Sequence, residues 1–184
     1  MKFTIILILI LSLLFIDSSI NCEENTEGKN ANYKISSNLT PQEVKDLLNI
    51  HNKIRADVGV EPLKWSSKIA DYAQEWANYL AKTGCKMEHR STLRQNKKNY
   101  GENLFMGTAG HYGVFDAVKS WEEEKKDYKG ETLNNSNWYV SGHYTQIVWK
   151  ATKELGCSKT LCNGKIIVVC NYDPPGNYLG QKAY

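Results

Sequence analysis

Lys159-Thr160-Leu161-Cys162-Asn163-Gly164-Lys165-Ile166-Ile167-Val168-Val169-Cys170 is the stretch whose reading decides the fold. An Asn-Gly pair between two strand-like runs marks a type I′ hairpin, because both central residues must adopt positive φ. A two-residue turn sets Cys162 opposite Lys165, and the same count outward sets Cys157 opposite Cys170. Starting from a hydrogen-bonded pair beside the turn, 157/170 is a non-hydrogen-bonded pair. Its Cα atoms then lie about 4.5 Å apart, within disulfide range. Cys162 stands five residues from Cys157 and therefore points to the other face of the strand. It must find its partner elsewhere. Cys85 is the best candidate, which leaves Cys22 either flexible or free to link a second copy. A bulge near the turn would shift this register.

Helical signals precede the hairpin. Thr40-Pro41-Gln42-Glu43 offers an N-cap, a proline at the first helical position and a glutamate three residues after the cap. Val44, Leu47, Leu48, Ile54 and Val58 follow at helical spacing until Gly59. A second helix is predicted from about Ser66 to Lys82, with Ile69, Ala73, Trp76, Ala77 and Leu80 on one face. A third is predicted over roughly Val114 to Tyr128, with Val118 and Trp121 inward. The short apolar run Ile147-Val148-Trp149 reads as a strand, as does Ile166 to Cys170. Helices first and an antiparallel hairpin last predict an α+β fold in which helices cover a small sheet.

The N-terminus has the pattern of a secretory signal peptide. Lys2 precedes an apolar run from Ile5 to Ile16 broken only by Ser12, and small or polar residues follow. The run is shorter than the ~20 residues a bilayer-spanning helix needs, and no second apolar stretch occurs. The predicted organisation is a signal peptide over 1–21, a polar leader over 22–38 and one domain over 39–184. About 160 mature residues suit one substantial core. Loss of 1–21 removes Lys2 and Asp17, so the net charge stays at +3. That mild, interleaved charge argues against nucleic acid, and the one basic cluster, Arg94 to Lys98, reads as a solvated loop. Five cysteines without a C-x-x-C pair fit export rather than a zinc knuckle. The sequons at Asn38 and Asn134 are expected glycosylation acceptors. The predicted product is an extracellular, secreted glycoprotein, monomeric unless Cys22 links a dimer.

Four histidines occur, at positions 51, 89, 111 and 143. His51 lies on the apolar side of the first helix and reads as a hydrogen-bonded core residue. His111 falls in a glycine-rich loop, and surface placement is its default. His89 and His143 are the candidates that remain.

A set of motifs makes the family visible. Gly142-His143-Tyr144-Thr145-Gln146-Ile147-Val148-Trp149 and Val169-Cys170-Asn171-Tyr172-Asp173-Pro174-Pro175-Gly176-Asn177-Tyr178 resemble the two signatures of the CAP superfamily. That superfamily takes in cysteine-rich secretory, antigen five and pathogenesis-related proteins. Gly101-Glu102-Asn103-Leu104, Ala117-Val118-x-x-Trp121-x-x-Glu124 and His51-Asn52-x-x-Arg55 match further motifs in order, and together they span about residues 40–184. The C-terminal stretch is similar to the plant pathogenesis-related and fungal secreted, sterol-binding branches. The resemblance implies a three-layer α-β-α sandwich, bridges Cys157–Cys170 and Cys85–Cys162, and a cleft tetrad of His89, Glu102, Glu124 and His143. Arg90 departs from the serine usual after the first histidine. Leu133 to Ser141 lacks the extra cysteine pair of plant members.

No residue could be assigned as catalytic. Two imidazoles and two carboxylates are zinc-compatible donors, so His89 and His143, with Glu102 and Glu124, are candidate ligands for a weakly bound divalent metal. No cofactor is required by this reading. A metal-dependent hydrolase is the alternative, although no nucleophile motif occurs and Ser141 lacks an elbow context. The resemblance also implies binding of a sterol or other small hydrophobic ligand. Phe105, Met106, Tyr112 and Phe115 are the loop candidates for it, with Leu104 beside them. A secreted effector that docks on a receptor or other partner is the third reading.

Overall fold

In the computed structural model the described residues are 37–90 and 99–184. The predicted signal peptide, most of the leader, Cys22 and the Arg94–Lys98 cluster lie outside them. Helix α1 (Pro41–Ala56) starts at the predicted capping box: Thr40 Oγ1 accepts from Glu43 N, and Glu43 accepts from Thr40 N. Strand β1 (Lys64–Trp65) leads into α2 (Ser67–Lys82). Strand β2 (Gly101–Thr108) is followed by α3 (Val114–Glu122), a 3-10 turn (Glu123–Asp127) and α4 (Trp138–Ile147). Strands β3 (Glu154–Cys162) and β4 (Lys165–Asp173) complete the domain.

The hairpin register sets the layers. Asn163 and Gly164 both have positive φ, Cys162 pairs with Lys165, and Cys157 pairs with Cys170. The four-stranded sheet has the order β1-β3-β4-β2. It is mixed rather than purely antiparallel, because β1 runs parallel to β3. Alternation along the strands builds two cores. Cys157, Ile166, Val168, Cys170 and Tyr172 join residues of α1, α3 and α4 in one cluster. Cys162, Ile167, Val169 and Leu104 join Ala73, Ala77 and Leu80 of α2 in the other. The result is the expected α-β-α sandwich. Disulfide Cys157–Cys170, with Cα atoms 4.1 Å apart, lies inside the first core. Cys85–Cys162 ties the end of α2 to the opposite face of the sheet.

Three elements differ from the sequence reading. Ile147-Val148-Trp149 does not form a strand. It ends α4, and Tyr144 to Trp149 are all buried between layers. A short run apolar on every side has no period that separates a strand from a buried helix. The third helix stops at Glu122 and tightens into the 3-10 turn. Glycine-punctuated residues 101–108 form strand β2, paired along its length with β4, not a loop. Its glycines answer to close packing: a Cβ on Gly101 would stand 2.1 Å from Gln146 Oε1.

Two buried polar residues of α1 lock the layers together. His51 Nδ1 lies 2.7 Å from the Leu47 carbonyl, which only accepts, so Nδ1 carries the proton and Nε2 accepts from Tyr172 OH at 3.0 Å. Asn103 donates to Tyr172 Oη at 3.1 Å and to the His143 carbonyl at 3.0 Å. A defined chain of hydrogen bonds therefore runs from α1 through β4 and β2 to α4. Burial drives the His51 pKa down to about 4; the Leu47 bond opposes this and the Arg55 charge adds to it. Arg55, fully buried, donates to the carbonyls of Glu61, Ile147, Trp149 and Thr152 at 2.7 to 3.1 Å. Two of those carbonyls belong to the C-terminal end of α4 and the residues just after it, where a cation suits both the unpaired acceptors and the helix dipole.

Candidate functional site

The predicted tetrad is two His–Glu pairs on different elements. Glu102 lies at the start of β2, held at its position by the β2–β4 ladder. His89 Nδ1 donates to its Oε1 at 2.8 Å, and the Arg90 amide donates to the same oxygen at 3.0 Å. Asn171 of β4 lies on its other oxygen at 3.4 Å. Glu124 leaves the 3-10 turn toward α4. His143 Nδ1 donates to its Oε1 at 2.6 Å, and the amides of His143 and Tyr144 donate to its Oε2 at 2.8 and 3.2 Å. Trp121 stacks on the His143 ring, with centroids 6.2 Å apart.

The segment carrying His89 is fixed from α2. Arg90, the departure from the family pattern, lays its guanidinium 3.8 Å over the Tyr72 ring. It donates to the Tyr72 carbonyl at 2.8 Å and to Glu75 at 2.9 Å. Trp76 donates its indole N–H to the Glu88 carbonyl at 2.9 Å. The Glu102 hydrogen bond, reinforced by its charge and opposed by burial, raises the His89 pKa above the ordinary histidine value. Neighbouring Cys85, with positive φ, is covalently tied to β3.

Both histidines line one cleft of about 170 Å³ with Glu102, Asn103, Trp138, Tyr139, Gly142 and Asn177. Glu124 stands behind His143 rather than in the cleft lining. Among the described residues, no three His, Cys, Asp or Glu side chains converge as a ready metal cluster. The carboxylates instead orient the imidazoles, so each Nδ1 is occupied and each Nε2 remains available as a donor atom to a ligand. Imidazole nitrogens are donors of the kind zinc accepts, and His89 and His143 are the residues that would hold such an ion.

The four loop candidates do not share one surface. Phe105 packs against the first core with Tyr112 edge-on at 6.0 Å, while Met106 packs against the second. Tyr112 is exposed, and Leu104 is buried. Phe115 alone lines a larger groove of about 350 Å³ between α1 and α3, with Ile50 and Ile54 as apolar neighbours. Lys53, Lys119, Asp46 and Glu122 also border it. Sequence reasoning passed over this groove, although Ile50 beside Ile54 on α1 was a visible apolar excess. It also passed over Trp138, Tyr139, Asn103 and Asn177, none of which is a histidine or carboxylate that would mark a chemical site. Of the sequon residues, Asn38 and Asn134 are both exposed.

A three-layer sandwich stapled by two disulfides, with two carboxylate-oriented histidines on one cleft, defines the class, and the disulfides fit an extracellular protein. The chain belongs to the CAP family, the cysteine-rich secretory protein family, whose model matches residues 48–172. It is 43% identical to pathogenesis-related protein 1A of Nicotiana tabacum over 141 residues, covering 76% of this chain and 80% of that one. It is 44% identical to pathogenesis-related protein 1 of Arabidopsis thaliana, covering 76% and 81%. Among solved structures it is similar to BmVAL-1, with TM-score 0.67, 27% identity and coverage of 81% and 84%. Venom allergen-like protein 4 of Schistosoma mansoni gives TM-score 0.57 and 27% identity over 76% of this chain and 92% of that one.

Proposed function

We propose that this is a secreted CAP protein that binds a small amphiphilic lipid, a sterol or a fatty acid, outside the cell without altering it chemically. The observation that carries this reading is the groove between α1 and α3. Its volume of about 350 Å³ falls in the ~300–1,000 Å³ range of small-ligand sites. Ile50, Ile54 and Phe115 supply an apolar wall, and Phe115 remains 46% exposed. Lys53 and Lys119 stand at the same groove, with Lys119 4.7 Å above the Phe115 ring. An apolar tail against the wall and a polar head beside the ammonium groups is the arrangement an amphiphile requires. Saturation binding of labelled cholesterol and labelled palmitate to the secreted protein tests the reading. Saturable binding of either, lost in Ile50→Glu, supports it; absence of both sinks it.

A second reading rests on a different observation. The two carboxylates take the Nδ1–H of His89 and His143, which leaves paired Nε2 atoms on one cleft for a divalent metal. Zinc bound there would supply a Lewis acid and a polarised water. Isothermal titration with zinc should give one site lost in both His89→Ala and His143→Ala. Zinc binding untouched by both changes would refute the assignment.

A further inference from the structure

The cleft between the histidines has a feature that neither lipid nor metal binding uses. Trp138 and Tyr139, at the start of α4, border it while remaining 47% and 64% exposed. Their rings are perpendicular, with centroids 6.5 Å apart. Two large apolar rings held in water lose the stabilisation that burial would give, so their position calls for a partner. Beneath them the cleft is polar, lined by His89, His143, Glu102 and Asn103. With each Nδ1–H committed to a carboxylate, each imidazole leaves its Nε2 for a hydroxyl partner.

We propose that this cleft binds one ring of an uncharged oligosaccharide. A pyranose has an apolar C–H face and a hydroxylated edge, and the cleft opposes an aromatic rim to a polar floor. The C–H face stacks on Trp138 or Tyr139, and the hydroxyls hydrogen-bond to the histidine Nε2 atoms. Size agrees with one ring: about 170 Å³ lies below the ~300 Å³ at which drug-sized ligands begin to fit. Charge selects the class, because the carboxylates of Glu102 in the cleft lining and Glu124 behind His143 repel sulfate and uronate groups. The far wall is fixed in advance. Asn177 donates to the Gly142 carbonyl at 2.7 Å and accepts from Thr145 Oγ1 at 2.7 Å. Such pre-ordering removes part of the entropic cost of binding.

The test uses the secreted protein carrying Asn38→Gln and Asn134→Gln, so that no attached glycan reaches the rim. Laminaritriose, cellotriose, chitotriose and a sulfated heparin tetrasaccharide are titrated, with the indole N–H signal of Trp138 as the readout. At least one neutral trisaccharide should shift that signal saturably below about 10 mM, a weak-binding ceiling. Trp138→Ala or Tyr139→Ala should weaken binding about tenfold, the scale of one aromatic contact. Both variants should melt like the parent, since these side chains are exposed. No saturable response to any of the three neutral sugars would overturn the proposal. So would tighter binding of the sulfated sugar, or undiminished binding in both alanine variants.

Discussion

Lowering the pH from 7 to about 4.5 should remove stability through His51. In the unfolded chain the imidazole titrates at its ordinary value of 6.5, whereas burial holds the folded value at about 4. The folded value is depressed, so this group's stabilising effect is present above the unfolded pKa. It is lost as pH falls from about 6.5 toward 4, where the unfolded chain binds a proton that the folded chain refuses. Integrated over that window, the loss is about 2–3 kcal/mol. The hydrogen bonds explain why the group cannot adapt: a proton on Nε2 would face Tyr172 OH, which presently donates to it. His89 acts in the opposite sense, because its folded pKa is raised. Its contribution is complete below 6.5 and declines as pH rises through the folded value. Burial raises the Glu43 pKa but its Lys159 and Thr40 partners outweigh it, so the folded value is depressed; its contribution is present above 4.5 and is lost only at pH below that. Urea denaturation followed by tryptophan fluorescence, in steps across the window, measures the loss. His51→Gln should be less stable at pH 7 and show a loss smaller by about 2–3 kcal/mol. Stability unchanged over the window, or an identical slope in His51→Gln, would refute the reasoning.

Arg55→Met should strand the carbonyls of Glu61, Ile147, Trp149 and Thr152 and cost about 4 kcal/mol, a fall in Tm on the order of 10 °C. A loss under about 1 kcal/mol in denaturant melts would show that the guanidinium's own desolvation cancels its bonds. Gly156→Ala would set a methyl 2.2 Å from Ala70 N and 2.5 Å from Ile69 C. Because those atoms are helix backbone, the expected cost is about 3 kcal/mol, read from the same melts. In an NMR titration, His89 should titrate above the ordinary value of 6.5, and Glu102→Gln should bring it back toward that value; an unmoved titration in the variant would count against the pair.

Much of this fold was legible wherever local chemistry forces a geometry. Asn163-Gly164 determined the hairpin register, and hence which face each cysteine occupies. The Thr40–Glu43 capping box set the start of α1. His51 was recognisable as a core residue because its position on an apolar face favours a paired buried group over a ligand. What stayed hidden depends on tertiary contacts. α4 is helical because Tyr144 to Trp149 are enclosed by two layers and Arg55 satisfies its final carbonyls, and neither fact is local. β2 reads as a glycine-broken loop until Gly101 is seen against Gln146. The site divides in the same way. His89, Glu102, Glu124 and His143 were identifiable by motif, but only the geometry separates Glu124, which orients His143 from behind, from the three that line the cleft. The groove between α1 and α3 carries no motif, since it arises from two helices that leave a gap.

That groove is the centre of the functional account, and a spin-labelled fatty acid tests it most directly. With doxyl-stearate added to the ¹⁵N-labelled protein, the account predicts saturable broadening of amide signals around Ile50, Ile54 and Phe115, reversed by excess palmitate. Broadening centred on Tyr112 or the His89–His143 cleft, or none at saturating ligand, would contradict it.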